Sequence, residues 1–204
     1  IINDEIMSQL PELKYIGVLA TGYNVVDIKA AQKRGITVTN IPAYSTASVA
    51  QMVTAHLLHI TQQVGPHSQA VREGAWQQST DFCFWNEPLT ELSGMTMCIV
   101  GLGNTGMATA RIAQSLGMQV MAWTSKSKEE LEPMDIQKAE SMEELFRKAD
   151  VLSLHCPLTP ETHHIINASS LSQMKSSAIL INTGRGPLIN ENDLAEALNE
   201  GRIY

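Results

Sequence analysis

Short apolar runs alternate with amphipathic stretches along most of this chain, and changes in that alternation divide it into regions. The run "YIGVLAT" from Tyr15 is followed by a helix-like stretch, "NVVDIKAAQKRG", and by a second apolar run, "ITVTNI", stopped by Pro42. Two strand-like runs around a helix-like stretch predict one β-α-β unit. Next, Val49, Val53, Leu57, Ile60 and Val64 recur every three or four residues until Gly65-Pro66. That period predicts one amphipathic helix, ended by the Gly-Pro pair and long enough to bridge two domains. Residues 67–93 have no clean period and carry Trp76, Phe82, Phe84 and Trp85. They read as an irregular arm whose aromatic side chains need a partner surface, such as a second subunit.

After Gly94 the alternation becomes regular: strand "MCIVGLG", a helix over 105–116, strand "QVMAW", a helix from about 141, strand "VLSLHC", a short helix near Ser169 and strand "AILIN". Strands alternating with helices mean an α/β fold, a parallel sheet with helices on both faces. The expected division is residues 1–47 as one partial domain and 48–204 as the bridging helix, the arm and the sheet domain.

The composition, 44% hydrophobic and 17% charged, suits a soluble globular protein with a sizeable core. A formal charge of −7 with no Lys/Arg-rich run argues against nucleic acid and anionic membranes as partners. No apolar run reaches the length of a membrane span and no signal sequence opens the chain. Cys83, Cys98 and Cys156 have no paired spacing, which suits reduced thiols in a cytoplasm. The chain starts at Ile1 and stops at Tyr204 just after a helix-like stretch, so it reads as a fragment.

The glycines of "GLGNTG", Gly101, Gly103 and Gly106, with Asn104 and Thr105 between them, stand between a strand and a helix. In that context the first permits a tight turn, the second lets a pyrophosphate approach the backbone and the third lets the helix pack on the strand. Such a fold usually places an acidic residue at the end of the second strand, to hold the adenosine ribose. Here that strand ends at Trp123, followed by Thr124, Ser125 and Lys126. None of these repels a 2′-phosphate, so NADP and NAD are both candidate cofactors.

The segment "VLSLHCPLTPETHH" packs His155, Cys156, His163 and His164 within ten residues, but the spacing matches no familiar zinc pattern and no metal is expected. As a loop leaving a strand's carboxyl end it reads as touching the dinucleotide, through His155, Cys156, Pro157 and Thr162. Arg185 sits between glycines in "NTGRG", where its guanidinium can grip a carboxylate with two prongs. In "LATGYN" the strand ends at Thr21-Gly22, which reads either as a candidate site where exposed backbone N–H groups take a carboxylate oxygen or as a plain strand-to-helix turn. His56 and His59 read as packing or surface positions.

On "ATGYNVVDIKAAQKRGITVTNIP", "GLGNTG", "HCPLTPETHHIIN" and "ILINTGRGPLINENDLAEAL" the sequence resembles the D-isomer-specific 2-hydroxyacid dehydrogenases, along essentially its whole length. The segment "DFCFWNEPLTELSGMTMCIVGLGNTG" is most similar to the bacterial glycerate dehydrogenase or hydroxypyruvate reductase branch. The resemblance implies a Rossmann-type doubly wound parallel sheet, part of a flavodoxin-like substrate domain, a homodimer, and hydride transfer between NAD(P)H and a small 2-oxo acid such as hydroxypyruvate or glyoxylate. It makes Arg185 the catalytic arginine, places Thr21 and Gly22 against the substrate carboxylate, Asn104 and Thr105 at the pyrophosphate, and Thr183 where the backbone nears the nicotinamide. Thr124 stands where many members have aspartate. The family's catalytic histidine and its glutamate partner fall beyond Tyr204, so the chain alone is expected to be close to inactive. A rival reading on the same fold is a dinucleotide-sensing corepressor without enzyme activity, and a weaker one is formate or phosphite oxidation.

Overall fold

The computed structural model describes residues 1–204 and divides into two compact units, Ile1–Ala47 and Ser48–Tyr204. In the first, α1 (Asp4–Ser8) precedes β1 (Tyr15–Val18), α2 (Ile28–Lys33) and β2 (Thr37–Asn40). The two strands pair in parallel with Tyr15 opposite Thr37 and Val18 opposite Asn40. Asp27 caps α2 by accepting the Ala30 N–H at 2.9 Å, and Arg34 ties α2 to α1 through Asp4 at 2.8 Å. Alternation along β1 turns Ile16 and Val18 inward, where they pack with Met7, Val26, Ala30, Ala31 and Ile36.

The second unit starts within α3 (Thr46–Gln62), followed by α4 (Val64–Arg72) and α5 (Ala75–Gln78). The buried stripe of α3 is Ala50, Val53, Leu57 and Thr61, while Val49 is half-buried and Val64 exposed. Gly65-Pro66 does not end the helical stretch, contrary to expectation. Gln63 breaks it with a left-handed backbone (φ 49°), and Pro66 lies in the first turn of α4, where no N–H is needed. The arm is likewise less irregular than its sequence suggests, since α4 and α5 occupy residues 64–78. Within it Phe84 meets the Trp76 ring edge-on at 5.9 Å and the His67 ring at 6.0 Å.

The remainder is β3 (Thr96–Val100), α6 (Asn104–Ser115), β4 (Gln119–Trp123), α7 (Lys128–Leu131), β5 (Ile136–Lys138), α8 (Met142–Lys148), β6 (Val151–Leu154), α9 (Ala168–Leu171), β7 (Ile179–Asn182) and α10 (Glu191–Asn199). All five strands are parallel, in the order β5-β4-β3-β6-β7. The sequence pattern missed β5 and α7, which are three and four residues long, too short to show a period. β6 is buried along its whole length, and apolar layers cover both sides of the sheet. One contains Val53, Leu57, Met97, Ile99 and Ile181, the other Cys98, Leu145, Leu152, Leu154 and Leu188. Burial pushes the Cys98 thiol up to about 12, so it stays protonated and inert.

Candidate functional site

The strand order reverses between β3 and β6: the chain runs outward from β3 through β4 to β5, then crosses back to β6 and β7. Connections from the carboxyl ends of β3 and β6 leave in opposite directions, which opens a crevice above their junction, the usual ligand position in such sheets.

The glycine turn stands at that junction, and its three glycines do different things. Gly101 has φ +92°, and a Cβ there would lie 2.7 Å from the Cys156 backbone nitrogen. A Cβ on Gly106 would lie 2.2 Å from the Gly101 carbonyl oxygen. Gly103 meets nothing within 4 Å, so the protein's own packing does not require a glycine there. A ligand approaching the backbone would. The N-terminus of α6, at Asn104, Thr105 and Gly106, has no side-chain cap and no acidic residue in its first turn, leaving backbone N–H groups and the positive end of the dipole open to an anion.

Around the turn, each strand end contributes a loop. The Gly101 N–H donates to the Trp123 carbonyl at 3.0 Å, which sets the end of β4 against the glycine turn. Beyond it the Lys126 N–H donates to the Thr124 hydroxyl at 3.3 Å, and Ser125 is exposed. Lys138, the last residue of β5, reaches across to donate its ammonium to the Lys126 carbonyl at 2.6 Å. Sequence reasoning passed over Lys138, because only strand pairing brings it to this loop.

After β6, the His155 N–H donates to the Val100 carbonyl at 2.8 Å. The His155 Nε2 lies 2.9 Å from the Ser153 hydroxyl, and burial pushes the ring down to about 4, so the imidazole is neutral at physiological pH. The Cys156 side chain packs against the layer of Cys98, Leu145, Leu152, Leu154 and Leu188, leaving its backbone beside the glycine turn. The Thr162 hydroxyl donates to the Pro157 carbonyl at 2.6 Å and closes the loop between them. That loop is fastened to the one after β7, with the His164 N–H on the Pro187 carbonyl at 2.9 Å and the Ile166 N–H on the Leu188 carbonyl at 3.1 Å.

The loop after β7 carries Thr183 and Arg185. The Thr183 hydroxyl is buried without a hydrogen-bond partner, a polar group at the ligand edge of the sheet waiting for an acceptor or donor. The Asn182 carboxamide pins the loop twice, accepting the Gly184 N–H at 3.0 Å and donating to the Arg185 carbonyl at 2.8 Å. Arg185 is half-buried with an extended backbone, and one guanidinium N–H bonds the Gly184 carbonyl at 3.1 Å. Asn182 was not anticipated, although an Asn two residues before a glycine is a turn signal. In the other unit, the Thr21 hydroxyl donates to the Ile41 carbonyl at 3.2 Å and Asn40 donates to the Thr21 carbonyl at 2.7 Å. The Thr21 and Gly22 amides donate to no acceptor in the chain.

An open cradle at Gly103, an uncapped helix end and an unpartnered Thr183 hydroxyl together fit a bound dinucleotide. The five-stranded unit is therefore an α/β domain of the dinucleotide-binding class. Residues 54–204 match the model of the D-isomer specific 2-hydroxyacid dehydrogenase NAD binding domain, and the chain belongs to that family. Its relatives include a hydroxypyruvate reductase of Blautia hydrogenotrophica, 48% identical over 98% of this chain and 62% of that protein. A glycerate dehydrogenase of Methylorubrum extorquens is 40% identical over 97% of this chain and 60% of the relative. A solved D-lactate dehydrogenase from Aquifex aeolicus, complexed with NAD and lactic acid, superposes with a TM-score of 0.87 at 32% identity, covering 99% of this chain and 59% of that one. The chain thus spans about three fifths of the length of the relatives it matches.

Proposed function

We propose that the protein carrying this chain reduces a small 2-oxo acid, hydroxypyruvate or glyoxylate, to the 2-hydroxy acid at the expense of NAD(P)H. The observation that supports this reading best is Arg185, held by Asn182 on a loop at the carboxyl edge of a sheet whose glycine turn suits a dinucleotide. A guanidinium stays cationic at any working pH and matches a carboxylate in two hydrogen bonds, so Arg185 would bind and orient the 2-oxo acid. Thr21 and Gly22, in the smaller unit, would offer backbone N–H donors to a carboxylate. The open face at Gly103, with Asn104, Thr105 and Gly106, would take the pyrophosphate. Trp123, Thr124, Ser125 and Lys126 would flank the adenosine ribose, with the loop of His155, Cys156, Pro157 and Thr162 along the adenosine half and Thr183 near the nicotinamide. When bound, the reduced nicotinamide supplies hydride to the carbonyl carbon.

Trp76, Phe82 and Trp85 are 57%, 92% and 65% exposed, which supports reading the arm as a homodimer contact. No helix is long and apolar enough to cross a membrane, and three free cysteines support a cytoplasmic setting.

The test is steady-state oxidation of NADH and NADPH by the whole purified protein that carries this chain, with hydroxypyruvate, glyoxylate and pyruvate. Arg185→Gln should lower kcat/KM by roughly 100-fold or more while dinucleotide binding persists. Unchanged kcat/KM in that variant would overturn the role given to Arg185, and no turnover with any 2-oxo acid would overturn the activity.

A further inference from the structure

We propose that the amino edge of the five-stranded sheet carries a receptor for a small phosphate dianion, built on Arg147, Lys148 and Lys175. The inference does not depend on the dinucleotide reading, because its residues lie at the edge where the strands begin, across the sheet from the glycine turn.

A hollow of about 290 Å³ opens at that edge, room enough for a small phosphate ester. Separate elements supply its walls. Thr96 and Gln119 are the first residues of β3 and β4, Gln137 belongs to the edge strand β5, Arg147 and Lys148 end α8, and Lys175 precedes β7. Three cations thus line one hollow in a chain whose formal charge is −7. The macrodipole favours cations in the last turn of a helix, which accounts for Arg147 and Lys148 but not for Lys175 on the same wall.

Two of these cations are anchored and the third is not. Lys148 pairs with Glu144 at 2.8 Å and Lys175 with Asp150 at 2.7 Å, while Asp150 also accepts the Thr96 N–H at 2.8 Å. Each ammonium keeps two further N–H donors. Arg147 forms neither an ion pair nor a hydrogen bond, and its charge acts at longer range on Glu143 and Glu144. The Gln119 and Gln137 carboxamides and the Thr96 hydroxyl bond no protein group either. The charges around the hollow are therefore three cations against Glu144 and Asp150 in contact with two of them and Glu143 one turn back on α8. Net attraction is small, so affinity has to come from charge-assisted hydrogen bonds rather than from the field. A phosphate, with four oxygens, accepts from guanidinium, ammonium and carboxamide donors on several sides at once, which a planar carboxylate does not.

The experiment is calorimetric titration of the whole purified protein that carries this chain with inorganic phosphate and with glycerol 3-phosphate. It is run on the Arg185→Gln protein in saturating NADH, which removes the two other places where an anion would bind. Either probe should bind with a Kd of about 1 mM or tighter. Adding Arg147→Gln should weaken that binding roughly tenfold, the scale of one charge-assisted contact, and Arg147→Lys should recover part of it. Raising the salt concentration should weaken it further. Arg147 is exposed and unpaired, so its variants should melt with the parent, and melts check that they do. Equal affinity for the two probes would identify free phosphate as the ligand and tighter binding of the ester a phosphorylated metabolite, and either result upholds the site. No binding of either probe below about 10 mM, or unchanged affinity in folded Arg147→Gln, overturns it.

Discussion

Asn182 shows how a residue without reactive chemistry sets the geometry of one that has it. Its carboxamide spans the turn that carries Arg185, accepting at Gly184 and donating at Arg185. Asn182→Ala should therefore raise KM for the 2-oxo acid and lower kcat by about 10- to 100-fold in total, the scale of one or two lost hydrogen bonds. Asn182→Asp, which keeps the acceptor, should fall between. Equal damage to dinucleotide affinity and substrate KM would show instead a general loss of the loop. His155 makes a different residue-scale prediction. Burial holds its folded-state pKa near 4, below the 6.5 of an exposed imidazole, so between those values the unfolded chain takes up a proton that the folded chain refuses. The stability due to the neutral ring is complete above 6.5 and is lost as pH falls toward 4, amounting to about 3 kcal/mol at most. Urea midpoints measured across that window should fall with pH, and His155→Asn should flatten the slope.

The β3-turn-α6 element was legible in sequence because its constraints are local. The buried strand, the three glycines and the helix that follows lie within twenty residues, and each glycine has a separate physical reason. Those reasons make opposed predictions. Gly106→Ala drives a Cβ into the Gly101 carbonyl, backbone that cannot step aside, and should cost several kcal/mol of stability, on the order of 3, along with binding. Gly103→Ala meets open space at φ −76° and should change stability by less than about 1 kcal/mol while abolishing dinucleotide binding. Paired melts and titrations of the two variants check this, and normal binding by Gly103→Ala would show that nothing approaches that face. Elsewhere the local signal failed for identifiable reasons. β5 has three residues and is a strand only because β4 lies beside it, so Lys138 could not be placed at the Lys126 loop. Pro66 suggested a helix end, but the break falls three residues earlier at Gln63, and a proline in the following first turn costs nothing. The lack of a hydrophobic period hid α4 and α5, neither of which has a buried residue to impose one.

At the scale of the whole molecule the two units differ in how they can resist opening. The sheet of the larger unit has five strands, with apolar layers on both faces, and its central strands β3 and β6 are almost wholly inaccessible. The smaller has two strands and a core of seven buried residues, while Tyr15, Leu19, Tyr23, Val25, Ile41 and Tyr44 lie exposed. A two-stranded sheet with one covered face is marginal in water, because the apolar area it buries barely offsets the entropy of ordering the chain. Hydrogen exchange should therefore occur in two classes. Amides of Met97–Val100 and Val151–Leu154 should open only with global unfolding, whereas those of β1 and β2 should exchange through a smaller opening and be roughly 100-fold less protected. A dinucleotide that binds the larger unit should raise protection in the first class by mass action and leave the second nearly unchanged, provided the units open separately. Equal protection at Val18 and Ile99, rising together on titration with NADPH, would mean that the chain unfolds as one cooperative body.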